Sequence, residues 1–227
     1  MSNQTCLWGL FRRRQCLVPS WRGWLVLAVC LGLPLLILGR STHAFLAMTD
    51  PLPGGILIVE GWGTDRAMEA GLAEFRRHHY DHLFVTGGPI DEGAPLCEYK
   101  SFAQRGAAIL LKMGLGTNEV EAVPAPMVMQ DRTYTSAVAL RRWLDEHGLS
   151  PDKANLISEG PHARRSRLLY EKGLKGSVRV GVIAVPDPDY DARHWWRYST
   201  GVRTVIGELL AYGYARFLFI EPAADAH

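Results

Sequence analysis

The chain lacks an excess of either charge: 25 Lys and Arg against 23 Asp and Glu leave a formal balance of +2. That gives no support to a nucleic-acid partner, which needs a concentrated basic face. A hydrophobic content of 48% excludes a disordered chain. Cysteine is scarce as well. Cys6, Cys16 and Cys30 all precede residue 41, and only Cys97 follows. Residues 41–227 therefore contain no pair that could form a disulfide, and no His/Cys spacing marks a zinc site; Cys97 reads as a structural residue rather than a nucleophile. Also missing are a Gly-x-Ser-x-Gly elbow, a His-Glu-x-x-His pair and a Walker loop, so the common hydrolase and NTPase chemistries have no signature. No internal repeat or low-complexity tract is present.

Charge is absent altogether from Gly23 to Gly39, a run bracketed by Arg22 and Arg40. About 17 residues at a 1.5 Å rise give roughly 25 Å, slightly short of a ~30 Å hydrocarbon core. Trp21 and Trp24 suit the interface, and the flanking arginines can snorkel. Pro34 is tolerable in a membrane helix. Arg12, Arg13, Arg14 and Arg22 precede the run, and only Arg40 follows closely. The positive-inside rule then keeps the N-terminus in the cytoplasm and exports the rest. The expected layout is a basic tail (1–22), a transmembrane anchor (23–40), a linker (41–53) and an extracytoplasmic domain (54–220). In a cell with two membranes this is a single-pass inner-membrane protein facing the periplasm. The rival reading is a cleaved signal peptide, with Thr42-His43-Ala44 as a poor cleavage site. Both readings export the domain.

Within the domain, short apolar runs alternate with helical patterns. Ile56–Val59, Leu83–Thr86, Val120–Val123, Asn155–Ser158 and Val178–Val185 read as strands. Helices are expected over Thr64–His79, Leu96–Met113, Thr133–His147 and Pro161–Lys172, with an amphipathic helical end over Trp195–Ile220. That end carries Arg203, Glu208 and Arg216 and is a poor second membrane span. The alternation predicts an α/β fold: a Rossmann-like, doubly wound, mostly parallel sheet of about five strands with helices on both faces.

In such a fold the useful residues lie just past the strand ends. They are Glu60-Gly-Trp-Gly63 with Asp65 and Arg66; Thr86-Gly87-Gly88 with Asp91 and Glu92; Gln130-Asp-Arg132-Thr133; Glu159 and His162 with Arg164 and Arg165; and Asp187 with Asp189. Gly61-Trp-Gly63 begins like a dinucleotide fingerprint but has Arg66 where the third glycine belongs, which argues against a nicotinamide cofactor. Gly87 and Gly88 would let backbone amides approach a ligand. His162 at a helix start, with Arg165 one turn on, is the best anion site, because free N–H groups, the helix dipole and a guanidinium all favour phosphate. Arg167 reads as part of a solvated basic face. Asp187-Pro-Asp-Tyr-Asp191 lacks the glycine and closing glutamate of a calcium loop, although Asp187, Asp189 and Glu60 leave room for one divalent ion. His78, His79 and His82 read as solvated, and no metal site is assigned.

Taken in order, these loops resemble the SanA/ElyC/YdcF family of bacterial proteins, the domain of unknown function 218, over roughly residues 54–215. The matching features are Arg66 on the first helix, Thr86-Gly-Gly88 at a strand end, Glu98 on the next helix, and a Thr-x-Glu-Asn-Ala box beginning at Thr133. His162-x-x-Arg165 and a C-terminal Glu, here Glu208, complete the set. The box departs from the family pattern: Thr135 and Ser136 replace Glu and Asn.

The resemblance implies a Rossmann-type domain tied to envelope integrity, peptidoglycan or lipid-carrier metabolism. No cofactor is assigned. The expectation is a phosphorylated or nucleotide-like envelope metabolite held by Arg66, Thr86, Gly87, Gly88, Glu98, Arg132, Thr133 and Arg165, with His162 as acid or base if a reaction occurs. The rival is a non-catalytic regulatory module whose altered box marks lost chemistry; apolar residues after Trp195 and Trp196 would then dock an envelope protein. The family also includes a cytosolic relative associated with S-adenosylmethionine binding, a third reading that export disfavours.

Overall fold

The computed structural model describes residues 5–6, 11–12, 19–90 and 98–222. The chain divides into two units, residues 1–40 and 41–227. In the first, β1 (Thr5–Cys6) pairs antiparallel with β2 (Phe11–Arg12), and α1 begins at Trp21. Helix α1 runs from Trp21 to Leu46 and is long and apolar enough to cross a membrane, with a mean hydropathy of 2.0 over its most apolar window. At 1.5 Å per residue its length is about 39 Å, beyond the ~30 Å hydrocarbon core. The helix outlasts the apolar run because Ser41–Leu46 continue it into the second unit, where Leu46 is fully buried. The expected linker therefore starts six residues early: 41–46 is helix.

The second unit is a five-stranded, all-parallel sheet in the order β5-β4-β3-β6-β7, made of β3 (Ile56–Glu60), β4 (Leu83–Gly87), β5 (Val120–Pro124), β6 (Lys153–Glu159) and β7 (Arg179–Val185). Every residue of β3 and β4 is buried, as strands covered on both faces require. Alternation sorts their side chains. Ile56, Ile58 and Phe84 face α4 (Arg132–Glu146) and α5 (His162–Gly173). Leu57, Val59, Leu83 and Val85 face α2 (Asp65–Arg77) and α3 (Phe102–Lys112). Burying each such side chain stabilises the fold by about 1.5–3 kcal/mol. The order of the first strand pairs reverses between β3 and β6, and that switch point opens a crevice at their carboxyl ends.

Helix α3 is shorter than its apolar pattern. The expected start at Leu96 is replaced by Phe102, because Ser101 takes the N-cap and its hydroxyl accepts a hydrogen bond from Gln104 N at 3.1 Å. Cys97, Asp91 and Glu92 lie outside the described residues. The C-terminal pattern splits into a 3-10 turn (Ala192–Arg197) and α6 (Ser199–Phe217).

The rest of the expected linker is not loose. Asp50 exchanges backbone hydrogen bonds with Val182 at 2.7 and 3.2 Å, and Thr49 Oγ1 accepts from Ala184 N at 3.1 Å. The segment thereby covers the open edge of β7. Gly181 permits the approach, since a Cβ there would lie 2.2 Å from Asn155 Oδ1 and 2.8 Å from Leu52 N. Fully buried Asn155 locks the segment: its Oδ1 accepts from Leu52 N at 2.8 Å, and its Nδ2 donates to Leu52 O at 2.6 Å and to Tyr80 OH at 2.9 Å. Asn155→Leu is expected to cost about 2–3 kcal/mol by stranding those groups, read as a lowered midpoint in denaturant unfolding of the solubilised chain. An unchanged midpoint would mean that the edge cover contributes nothing.

Candidate functional site

A cavity of about 700 Å³ opens at the carboxyl edge of the sheet. Its walls are the end of β4 (Thr86, Gly87, Gly88), the loop after β5 through Asp131, the first turn of α4 (Arg132, Thr133, Ser136), and a buried polar cluster built on Glu60, His162 and Glu208. This volume lies within the usual range for small-molecule sites. A larger groove of about 990 Å³ lies beyond the same loop, along the surface of α4 by Arg141, Arg142 and Trp143. It contains none of the acidic or histidine side chains that converge at the strand ends.

The polar cluster begins with Glu60, the last residue of β3, which is 4% exposed. Its carboxylate accepts from Ser158 Oγ at 2.5 Å and from Ser166 Oγ at 3.0 Å. His162, the first residue of α5, sits between two carboxylates: Nδ1 is 3.0 Å from Glu208 Oε1 on α6, and Nε2 is 3.6 Å from Glu60 Oε1. The second distance is too long for a hydrogen bond, and buried Nε2 has no other acceptor among the described residues. Arg165, one turn on, clasps the same glutamate through Nε to Oε2 at 2.8 Å and Nη2 to Oε1 at 3.0 Å. Behind them Tyr170 OH and Thr86 Oγ1 share a hydrogen bond of 2.6 Å. Burial and the nearby Glu60 charge raise the pKa of that phenol, so it stays protonated.

Protonation of His162 follows from this setting. Burial opposes its charge, but the Glu60 carboxylate and the hydrogen bond to Glu208 outweigh burial and raise the pKa to about 9. Nδ1–H then donates to Glu208. Arg165 Nη2 also lies 2.8 Å from Nδ1, so this nitrogen donates to Glu208 when His162 is protonated and accepts from Arg165 when it is neutral. Burial pushes the Glu208 pKa up, yet hydrogen bonds from His162 and Arg165 hold it down at about 2. Two carboxylates and two cations thus balance within the protein itself.

The candidate residues divide clearly. Thr86, Gly87, Gly88, Arg132, Thr133, His162 and Arg165 all line the cavity. Arg66 and Glu98 do not: both are exposed and away from it. On α2 the buried face is Ala67, Met68, Gly71 and Leu72, which leaves Arg66 on the solvent side. Glu98 precedes the true start of α3. The two glycines differ as well. A Cβ at Gly87 would lie 2.9 Å from Phe102 Cβ and 3.1 Å from Ala103 N, so this glycine admits the end of α3 rather than a ligand. At Gly88 the nearest atom to a Cβ is 4.0 Å away, so the space beside it is open.

Other candidates serve the fold. Glu159 accepts hydrogen bonds from Thr64 N, at 2.9 Å, and from Thr64 Oγ1. Arg164 stacks on Phe45, with its guanidinium 4.0 Å from the ring centroid. Arg167 is paired with Asp50 and Glu171 rather than merely solvated. Asp187 and Asp189 do not join Glu60, and no group of three metal-type ligands occurs among the described residues. In the altered box, Ser136 lines the cavity while the Thr135 hydroxyl turns back to donate to Asp131 O at 3.2 Å.

Sequence reading missed Tyr170, Ser158 and Ser166. A signal for two of them was present, since His162, Ser166 and Tyr170 follow at i, i+4 and i+8 on one face of α5. Ser158, inside an apolar strand, carried none. Compared with known proteins, the chain matches no protein-family model, no curated protein and no solved structure, so the resemblance to the SanA/ElyC/YdcF family rests on its short motifs alone.

Proposed function

We propose that this is an inner-membrane-anchored protein whose extracytoplasmic domain binds a phosphorylated or nucleotide-like envelope metabolite, in peptidoglycan or lipid-carrier metabolism, through the switch-point cavity. The observation that carries this reading is the cavity itself: of ligand size, at the carboxyl ends of the strands, and lined by His162, Arg165, Arg132 and Gly88. The first turn of α4 adds to it. Asp131 at its N-cap holds a left-handed backbone and makes no capping bond from its side chain, and this helix start, whose dipole favours negative charge, borders the cavity. Gly88 leaves room for the ligand to come close. Arg165 contributes less than its type suggests, because Glu208 already occupies its fork. With a pKa of about 9, His162 is a proton donor near neutrality, so in any reaction it serves as general acid toward a leaving oxygen rather than as base.

A lipid-carrier phosphate fits the anchor, because tethering raises the effective concentration of a membrane-borne ligand. The test is thermal unfolding of the solubilised full chain with polyprenyl phosphate, a nucleotide sugar and inorganic phosphate, each beside its phosphate-free counterpart. A true ligand at 100 times its dissociation constant stabilises the fold by about 2.7 kcal/mol. Stabilisation only by the phosphorylated member of a pair is the expected result. No shift with any of them would sink the reading.

The balanced charge of the Glu60–His162–Arg165–Glu208 cluster favours a second reading, a non-catalytic module in which the cluster fixes α6 to the sheet and envelope proteins are the partners. A flat response to the whole panel is the outcome this second reading expects.

A further inference from the structure

From Val202 onward α6 carries a continuous exposed apolar stripe: Val202, Ile206, Leu209, Leu210 and Phe217, at i, i+4, i+7, i+8 and i+15. Leu210 is 70% and Phe217 80% exposed, and Leu218 and Ile220 extend the patch past the helix end at 69% and 87%. The opposite face, with Gly201, Val205 and Ala215, packs inward and sends Glu208 to His162 and Arg165. A stripe of this kind on a soluble surface marks a contact.

Two features identify what covers it. The first is position. The second unit begins at Ser41, one residue past the Arg40 that closes the charge-free stretch, and Phe45 packs edge-on against Tyr212 of α6 with ring centroids 5.7 Å apart. The first residues of the second unit thus pack beside α6. The second is charge. Arg193, Arg197, Arg203 and Arg216 are all exposed along the 3-10 turn and α6, and from Ala192 to Phe217 the sole acidic residue is Glu208, which is turned into the site. Tyr198 and Tyr214, both exposed, add amphipathic rings. Apolar side chains bordered by arginine and tyrosine are the composition of a helix lying in the headgroup region of an anionic bilayer. A second copy of the chain would instead bring another arginine-bearing face, whose exposed acids, Asp191 and Glu221, flank the stripe in sequence rather than lie within it.

We infer that the outer face of α6, with the 3-10 turn before it, lies on the anionic surface of the membrane that the N-terminal helix spans. This rests on the proposed anchor. It places the Glu208 end of the cavity at the headgroup level, where a phosphate carried by a lipid is presented.

The test is depth measurement by spin labels on the full chain in nanodiscs of phosphatidylethanolamine and phosphatidylglycerol. Cys6, Cys16 and Cys97 are replaced by Ser, and one label at a time is placed at native Cys30, or, with Cys30 also replaced, at Leu210→Cys, Phe217→Cys or Asp145→Cys. All four positions are exposed, so labelling leaves the core intact. Labels at 210 and 217 should collide with oxygen several times more often than with a water-soluble nickel complex, as at Cys30, while the label at 145 shows the reverse. Labels at 210 and 217 that behave like the one at 145, with Cys30 in lipid, would overturn the surface contact and leave the anchor standing. Spin–spin broadening between copies at 210 would overturn it in favour of self-association. A water-exposed label at Cys30 would remove the anchor and the inference together.

Discussion

Glu208→Gln is expected to lower stability by about 3–5 kcal/mol, the largest effect of any single substitution outside the apolar core. Glu208 is the shared counter-ion of two buried cations: it takes Nδ1–H of His162 at 3.0 Å and two guanidinium nitrogens of Arg165 at 2.8 and 3.0 Å. Removing that negative charge leaves both cations without their shared counter-ion in a water-poor site, until His162 gives up its proton and Nδ1 accepts from Arg165 Nη2 at 2.8 Å. Loss of the His162 proton relieves part of the strain, but Arg165 keeps its charge. The change should appear as a fall of roughly 10 °C in Tm. Glu171→Gln supplies the contrast. Its ion pair with Arg167 is 42% exposed on the glutamate side, and such pairs contribute about 0–1 kcal/mol. Equal effects of the two substitutions would show that the buried cluster is not what holds α6 to the sheet.

The second large expectation is a loss of stability on the alkaline side. The folded pKa of His162 is raised from 6.5 to about 9, so the folded state binds its proton more tightly than the unfolded chain. The resulting stabilisation is complete below about 6.5 and disappears as pH rises through about 9. It is on the order of 3 kcal/mol at its full extent. Glu208 governs the acid side: with its pKa depressed from 4.5 to about 2, its contribution is present above 4.5 and lost as pH falls through 2. His82 acts in the opposite sense to His162. Burial lowers its pKa, so its contribution is lost on acidification. The decline between 6.5 and 9 therefore belongs to His162, and thermal unfolding across that window should show it in the wild type and not in His162→Gln. A slope that persists in the variant would assign it elsewhere.

Much of this architecture was legible because the strands are short apolar runs buried on both faces, and such runs need no tertiary information to stand out. Ile56–Val59 and Leu83–Thr86 are of that kind. The boundaries that failed were set by single polar contacts. The Ser101 cap displaced the start of α3, and the burial of Leu46 pulled the first helix beyond its charge-free run. Among the site residues, His162 was found through its place at a helix start, and Glu208 only through the family resemblance. That the two meet depends on α6 folding back across α5, which no local pattern encodes. Arg66 shows the converse: it lies just past a strand end, as read, but on the solvent face of α2, away from the cavity.

If the switch-point cavity holds an anionic ligand, Gly88→Leu should expose it most directly. A side chain at this position meets no neighbour closer than 4.0 Å from its Cβ, so the variant should fold normally while filling the space beside the α4 N-terminus. Equilibrium binding of the phosphorylated ligand selected by thermal unfolding is measured for both proteins. Binding to the wild type that falls at least tenfold in Gly88→Leu, at unchanged Tm, is the predicted result; a tenfold loss corresponds to about 1.4 kcal/mol. Equal binding by the two proteins would contradict the placement of the site and send the search to another surface.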